Sequence, residues 1–190
     1  MSHEDRKRWD EKYSVKAVPA RVQPDDWLVN RAADVSPGKA LELACGLGHN
    51  ALWLAEQGWQ VDAVDVSPVG LTMARQLADD VGQTVNWLEA DLDEFVPEPG
   101  GYTLAVVFRF LDRKRLPTLI PAAVAPGGLL IYETFAAGQL DRADNHLHNA
   151  AYVLSTGELP TLYPEFDVVE YREDQLEDRT VARLCARRSD

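Results

Sequence analysis

The chain has 190 residues, enough for one domain with a full core, and its 46% apolar and 26% charged residues are those of an ordinary water-soluble fold. Thirty-one acidic against 19 basic residues leave a net charge of −12, which repels phosphate backbones and anionic lipid, so neither nucleic acid nor a membrane is expected as a partner. The opening MSHEDRKRWDEKY has no apolar signal core, no run reaches spanning length, and two distant cysteines, Cys45 and Cys185, suit a reducing cytoplasm.

In chain order, residues 3–13 predict a helix with Trp9 and Tyr13 at i, i+4 on one face, packed in the core or covering a ligand. A linker with Pro19 and Pro24 leads to a second helix over 25–35, ended by Ser36-Pro37-Gly38. The pattern then alternates: strand 39–44, helix 48–57 stopped by Gly58, strand 60–65, helix 68–81 stopped by Gly82, and strand 84–89. The acidic turn at Asp91, Asp93 and Glu94 and the breakers Pro97, Pro99, Gly100 and Gly101 precede strand 102–108, whose apolar run marks a central position. Pro117 and Pro121 shorten or break a helix over 112–124, and Gly127-Gly128 opens strand 128–134. The stretch 136–150 is polar and long for a connection, as a mobile cover over an acceptor pocket would be. A helical pattern over 155–162 and two strands, 166–173 and 179–187, close the chain. These units predict an α/β, doubly wound, seven-stranded and mostly parallel sheet with one antiparallel strand near the C-terminus. One domain is expected over 1–190, with 1–38 a helical cap and 39–190 the α/β core.

Most of the chemistry lies in LELACGLGHNA (41–51) and VDAVD (61–65). A strand carrying Glu42 enters a turn with Gly46 and Gly48, then a helix, then a strand ending in Asp65: a nucleoside-binding βαβ unit. Gly46 and Gly48 allow close approach of backbone to ligand, the first helical N–H groups suit an anionic group, and Asp65 is placed for a ribose diol. Ser67 and Pro68 supply the cap of the next helix, which leaves Asp65 for the ligand. Gly46-Leu47-Gly48-His49-Asn50-Ala51 also satisfies the dinucleotide pattern G-x-G-x-x-A, with an acid 19 residues after Gly46. Glu42 decides between the cofactors. A carboxylate inside a parallel strand needs a cation or several donors; the pyrophosphate of NAD would repel it, whereas the ammonium and sulfonium of S-adenosylmethionine would not.

Glu42-Leu43-Ala44-Cys45-Gly46-Leu47-Gly48, Asp65 ending the second strand, Ala90-Asp91-Leu92 after the third and Pro126-Gly127-Gly128 before the fifth resemble class I S-adenosylmethionine-dependent methyltransferases. Ala44 stands where that family usually has another glycine. Trp9-Asp10-Glu11-Lys12-Tyr13, the GGLLIYETF run (127–135) and Gly157-Glu158-Leu159 resemble, more loosely, its tellurite-resistance-type branch. The resemblance implies a Rossmann-like methyltransferase fold with S-adenosyl-L-methionine as cofactor. It puts Asp91 against the adenine amino group and gives the cofactor set as Glu42, Ala44, Gly46, Gly48, Asn50, Asp65, Val66, Asp91, Leu92 and Phe108. The branch implies a small chalcogen oxyanion or another small soft nucleophile as methyl acceptor.

Four residues are candidates on the acceptor side. Arg109 ends the central strand, positioned to orient an anionic substrate or to pair with Glu133; His146 and His148 lie in the polar stretch. No catalytic residue is assigned: a soft nucleophile needs no base, while an alcohol or amine would draw on His146, His148 or Glu133. No metal is expected, since His-x-His alternates faces and lacks a partner cysteine. Cys45, at a helix approach that lowers thiol pKa, is read as a small packing residue. An NAD(P)-dependent reductase is the alternative enzyme, although the chain lacks Tyr-x-x-x-Lys; a non-catalytic S-adenosylmethionine-binding module is the other. The chain also lacks N-P-P-[YF], against base-amine methylation of DNA.

Overall fold

The strand β1 (Lys39–Leu43) starts the parallel part of the sheet, with Ala40, Leu41 and Leu43 fully buried. A computed structural model describes residues 3–15, 23–145, 147 and 149–190. Around β1 the elements are α1 (His3–Ser14), α2 (Asp26–Ala32), α3 (His49–Glu56), β2 (Gln60–Asp65), α4 (Pro68–Val81) and β3 (Asn86–Glu89). Next come β4 (Tyr102–Phe108), α5 (Leu116–Ala123), β5 (Val124–Phe135), α6 (Glu158–Thr161), β6 (Phe166–Gln175) and β7 (Thr180–Arg188). The strands form one seven-stranded sheet in the order β3-β2-β1-β4-β5-β7-β6. β1–β2, β2–β3 and β4–β5 pair in parallel, and β7 runs antiparallel to both β5 and β6, so the reversed strand is the last one. Backbone contacts group the chain into two compact units, residues 1–96 and 97–190. The division falls beside the Pro97-to-Gly101 breakers.

In the first unit α4 follows its sequence signals closely. Ser67 accepts a hydrogen bond from the Gly70 N–H, Pro68 occupies the first turn, and Gly82 ends the helix at φ +68°. Leu71, Ala74, Leu77 and Ala78 recur at helical spacing and are buried, each leucine contributing about 1.5–3 kcal/mol.

In the second unit several boundaries differ from expectation, and β5 starts at Val124, four residues before the expected 128. The helix begins at Leu116, not 112, because the Asp112 carboxylate takes the N–H groups of Lys114 and Arg115 at 2.8 and 2.7 Å, an Asx turn that holds the chain out of the helix. The helix expected over 155–162 shrinks to α6, since Gly157 at φ +75° must come before it. β6 runs on to Gln175, and the hairpin link shortens to 176–179.

The stretch expected as a mobile cover is anchored at several points. Two 3-10 turns, Gln139–Asp141 and Ala150–Tyr152, interrupt it. The buried Gln139 accepts from the Thr180 N–H at 2.7 Å, and Arg142 donates to the Leu176 and Glu177 carbonyls at 3.1 and 2.5 Å. Arg113 donates to the Ala151 and Val153 carbonyls at 2.6 and 2.8 Å and is ion-paired with Glu158. Hydrogen bonds to partners more than 30 residues away carry no periodicity, so the sequence showed only the polarity.

Candidate active site

The β1–α3 turn is built from left-handed residues. Ala44, Gly46 and Gly48 have φ of +56°, +57° and +72°. Ala44 therefore occupies a conformation that favours glycine, at a cost of about 1–2 kcal/mol, which accounts for the glycine usual there in the family it resembles. The turn is closed by the Cys45 N–H donating to the Val64 carbonyl at 3.0 Å and the Gly48 N–H to the Cys45 carbonyl at 2.9 Å.

Two carboxylates stand at adjacent strand ends beside this turn. Glu42 is 3% exposed and Asp65 6%. Asp65 Oδ2 accepts from the Gly46 N–H at 2.7 Å and Oδ1 from the Ser67 N–H at 2.9 Å. Burial pushes the Asp65 carboxyl above its usual value, against backbone N–H groups of Ser67, Gly46 and Val66 that favour the anion; Asp10 adds a smaller upward push. Ser67 is the cap that the sequence indicated, yet Asp65 is not left idle: it ties the two turns together. Burial, followed by the charges of Asp65 and Glu42, also raises the Cys45 thiol well above its ordinary value. Cys45 is itself buried, in keeping with a packing residue.

No pattern of spacing marks what fills the space beside the glycines. A Cβ on Gly46 would sit 2.7 Å from Tyr13 Oη, and one on Gly48 would sit 2.2 Å from the Trp87 ring. The room these glycines leave where a Cβ would stand is thus bordered by aromatic side chains of the same unit. α1 crosses this region through Tyr13, through Asp10, which accepts from Ser67 Oγ at 2.5 Å, and through Arg6, ion-paired with Glu89. Trp9 stacks on Tyr13 with centroids 5.8 Å apart. Their spacing was visible in the sequence; the roles of Arg6, Asp10 and Trp87 had no signature.

A cavity of about 450 Å³ is lined by Arg6, Val66, Glu89, Ala90, Asp91, Glu94 and Phe95. It brings together Val66, which follows Asp65, and Asp91. Asp91 also accepts from the Asp93 N–H at 2.9 Å, and Leu92 beside it is 1% exposed. The donor set suits S-adenosylmethionine. A carboxylate offers about four lone-pair sites, so Asp65 keeps capacity for a diol beyond its two backbone donors, and a buried Glu42 calls for a cation.

Each remaining expected site residue has its own surroundings. Asn50 is buried and faces Asp25: its Oδ1 accepts from the Asp25 N–H at 2.8 Å and its Nδ2 donates to the Asp25 carboxylate at 3.2 Å. Phe108, at the end of β4, is 6% exposed. Arg109 follows it at φ +54°, exposed, with its N–H on the Glu133 carbonyl at 2.9 Å. Glu133 is fully buried between Arg179 (3.1 Å) and Arg183 (2.7 Å), so neither an acceptor contact nor a base role suits it. His146 and His148 lie outside the described residues. Among the described residues no three His, Cys, Asp or Glu side chains group as metal ligands, and no helix is long and apolar enough to cross a membrane.

The chain has known relatives. Residues 3–183 match the model of the family described as tellurite resistance protein TehB. The probable S-adenosyl-L-methionine-dependent methyltransferase TehB of Haemophilus influenzae (strain 10810) is 23% identical over 168 residues, 87% of this chain and 57% of that protein. Hemagglutinin 1 of Eikenella corrodens is 32% identical over 148 residues, 73% of this chain and 47% of that protein. The chain thus spans about half the length of these curated relatives. The crystal structure of TehB from Haemophilus influenzae superposes with a TM-score of 0.70 at 20% identity, covering 95% of this chain and 67% of that one. On the match that runs through nearly its whole length, the chain belongs to the TehB family of class I S-adenosylmethionine-dependent methyltransferases.

Proposed function

We propose that the protein transfers a methyl group from S-adenosylmethionine to a small, soft nucleophile. The observation that carries this reading is the pair of buried carboxylates, Glu42 and Asp65, at adjacent strand ends around a turn of three left-handed residues. In this reading Glu42 holds the ammonium of the cofactor, Asp65 its ribose diol, and Asp91 with Val66 the adenine side. The cofactor supplies a methyl group on a sulfonium, already activated for in-line displacement at carbon. The chain contributes approach geometry and exclusion of water, with α1 as the cap over the turn. A thiolate or chalcogen oxyanion then needs no protein base, in keeping with Glu133 being locked in ion pairs. Two cysteines, both buried, support placing the protein in a reducing cytoplasm.

Calorimetry with S-adenosylmethionine, S-adenosylhomocysteine, NAD and NADP tests the cofactor. The first two are expected to bind and the last two not; NAD binding with silence for the methyl compounds would overturn it. Release of S-adenosylhomocysteine is then screened over thiols, selenite, tellurite, small amines and carboxylates. Turnover on a thiol or chalcogen oxyanion is the expected result, and a bound cofactor without turnover on any acceptor would point to a binding module.

A further inference from the structure

Asp65 holds its orientation through two backbone donors, and α1 reaches the residue of each, by a hydrogen bond at Ser67 and by packing at Gly46. The Ser67 N–H reaches Asp65 Oδ1 at 2.9 Å, and Ser67 Oγ donates to Asp10 Oδ1 at 2.5 Å. The Gly46 N–H reaches Asp65 Oδ2 at 2.7 Å, and Tyr13 Oη stands 2.7 Å from where a Cβ on Gly46 would be. Asp10 and Tyr13 are three residues apart on one helix, hence on one face. α1 therefore bears on both supports of a single carboxylate.

The Ser67 link has little slack. Ser67 is fully buried and its hydroxyl has one proton to give. That proton goes to Asp10, while the same oxygen accepts from the Gly70 N–H at 3.1 Å as the cap of α4. The two bonds together fix the Ser67 side chain. Its backbone, at φ −91° and ψ 107°, is held where the N–H points at Asp65. Asp10 also approaches the Val69 N–H at 3.5 Å, at the edge of a hydrogen bond. Without Asp10, the hydroxyl must find another acceptor in a buried turn, and rotating toward one gives up the cap.

We infer that Asp10 is a positioning residue: acting through Ser67 it sets the Asp65 carboxylate for the cofactor, so that docking of α1 and cofactor binding strengthen each other. This rests on the assignment of Asp65 to the cofactor made above. The coupling is reciprocal by linkage, so bound cofactor must also hold α1 in place.

The test uses the full chain with S-adenosylhomocysteine. Wild-type binding is measured first; no binding there overturns the cofactor assignment itself, before any variant is made. With binding in hand, Asp10→Asn and Ser67→Ala are each expected to weaken it about ten-fold, the share of a charge-assisted hydrogen bond. The double variant should be no weaker than Ser67→Ala alone, because the charge-assisted bond that Asp10→Asn weakens is already absent there. Asp10→Glu, which keeps the charge, should recover part of the loss. The second readout is amide hydrogen exchange in α1. S-adenosylhomocysteine should slow it in the wild type and have little effect in Asp10→Asn, a change that a purely structural role would not produce. Wild-type affinity in a folded Asp10→Asn, or losses that multiply in the double variant, would overturn the inference. If Asp10→Asn does not fold, Ser67→Ala reads the same bond from its other end, and undiminished affinity there overturns it equally.

Discussion

At Asp65 burial and function pull in opposite directions. Its carboxyl is raised by desolvation, so the folded chain holds that proton more tightly than the unfolded chain does. Stability from this group is therefore fully present below the ordinary carboxylate value and is lost as pH rises through the raised one. Hydroxyl groups of a ribose donate to the anion, so cofactor affinity should run the other way and fall on acidification through the same window. We expect calorimetric affinity for S-adenosylhomocysteine to decline there in the wild type, and Asp65→Asn to bind weakly with a much flatter pH profile. An unchanged profile in Asp65→Asn would assign the dependence to another group. The sequence placed Asp65 by its position after a strand and 19 residues after Gly46. What it withheld was the pair of backbone donors: spacing marks which side chain stands at a strand end, not which amides a neighbouring turn will aim at it. For the same reason the link between the Asn50 amide and Asp25, 25 residues earlier, had no signature in the spacing.

At the scale of elements, legibility followed locality. α4 and β4 have the bounds their caps, breakers and apolar runs predicted, because those signals lie within the element. α5 started late through an Asx turn two to three residues long, which is local but resembles helix in composition. The pairing of β5 with β7 set the fate of Glu133, and that depended on Arg179 and Arg183, 46 and 50 residues onward. Register places Glu133 opposite Arg183, and Arg183 continues to Asp174 on β6 at 2.9 Å, so one ionic row crosses three strands. Replacing Glu133 by Gln takes a buried carboxylate from two guanidinium groups, which keep Asp178 and Asp174 as their other partners. Breaking a buried pair from one side costs about 3–5 kcal/mol. Urea denaturation of Glu133→Gln should show a loss of that size with S-adenosylhomocysteine affinity, measured well below the midpoint, little changed. A stable Glu133→Gln protein that binds cofactor but has lost turnover would instead return Glu133 to the acceptor side.

On the scale of the whole molecule, the charge bears on how an acceptor arrives. A net −12 spread over 190 residues sets up a negative potential that extends about 10 Å into solution at 0.1 M salt and further at lower salt. A chalcogen oxyanion approaching a protein of that sign is slowed, whereas a neutral thiol is not. Raising ionic strength should therefore increase kcat/KM for an oxyanion acceptor by shortening the range of repulsion. The same change should leave kcat/KM for an uncharged thiol flat, and kcat for both nearly constant once the acceptor is bound. Steady-state rates for the two acceptor types, measured from low salt to about 0.3 M with saturating S-adenosylmethionine, separate the cases, since by then the screening length has fallen well below 10 Å. If the oxyanion rate falls with salt instead, a local cationic patch outweighs the overall charge. Arg109, exposed at the end of β4, is then the first residue to replace, and Arg109→Ala should remove the salt dependence.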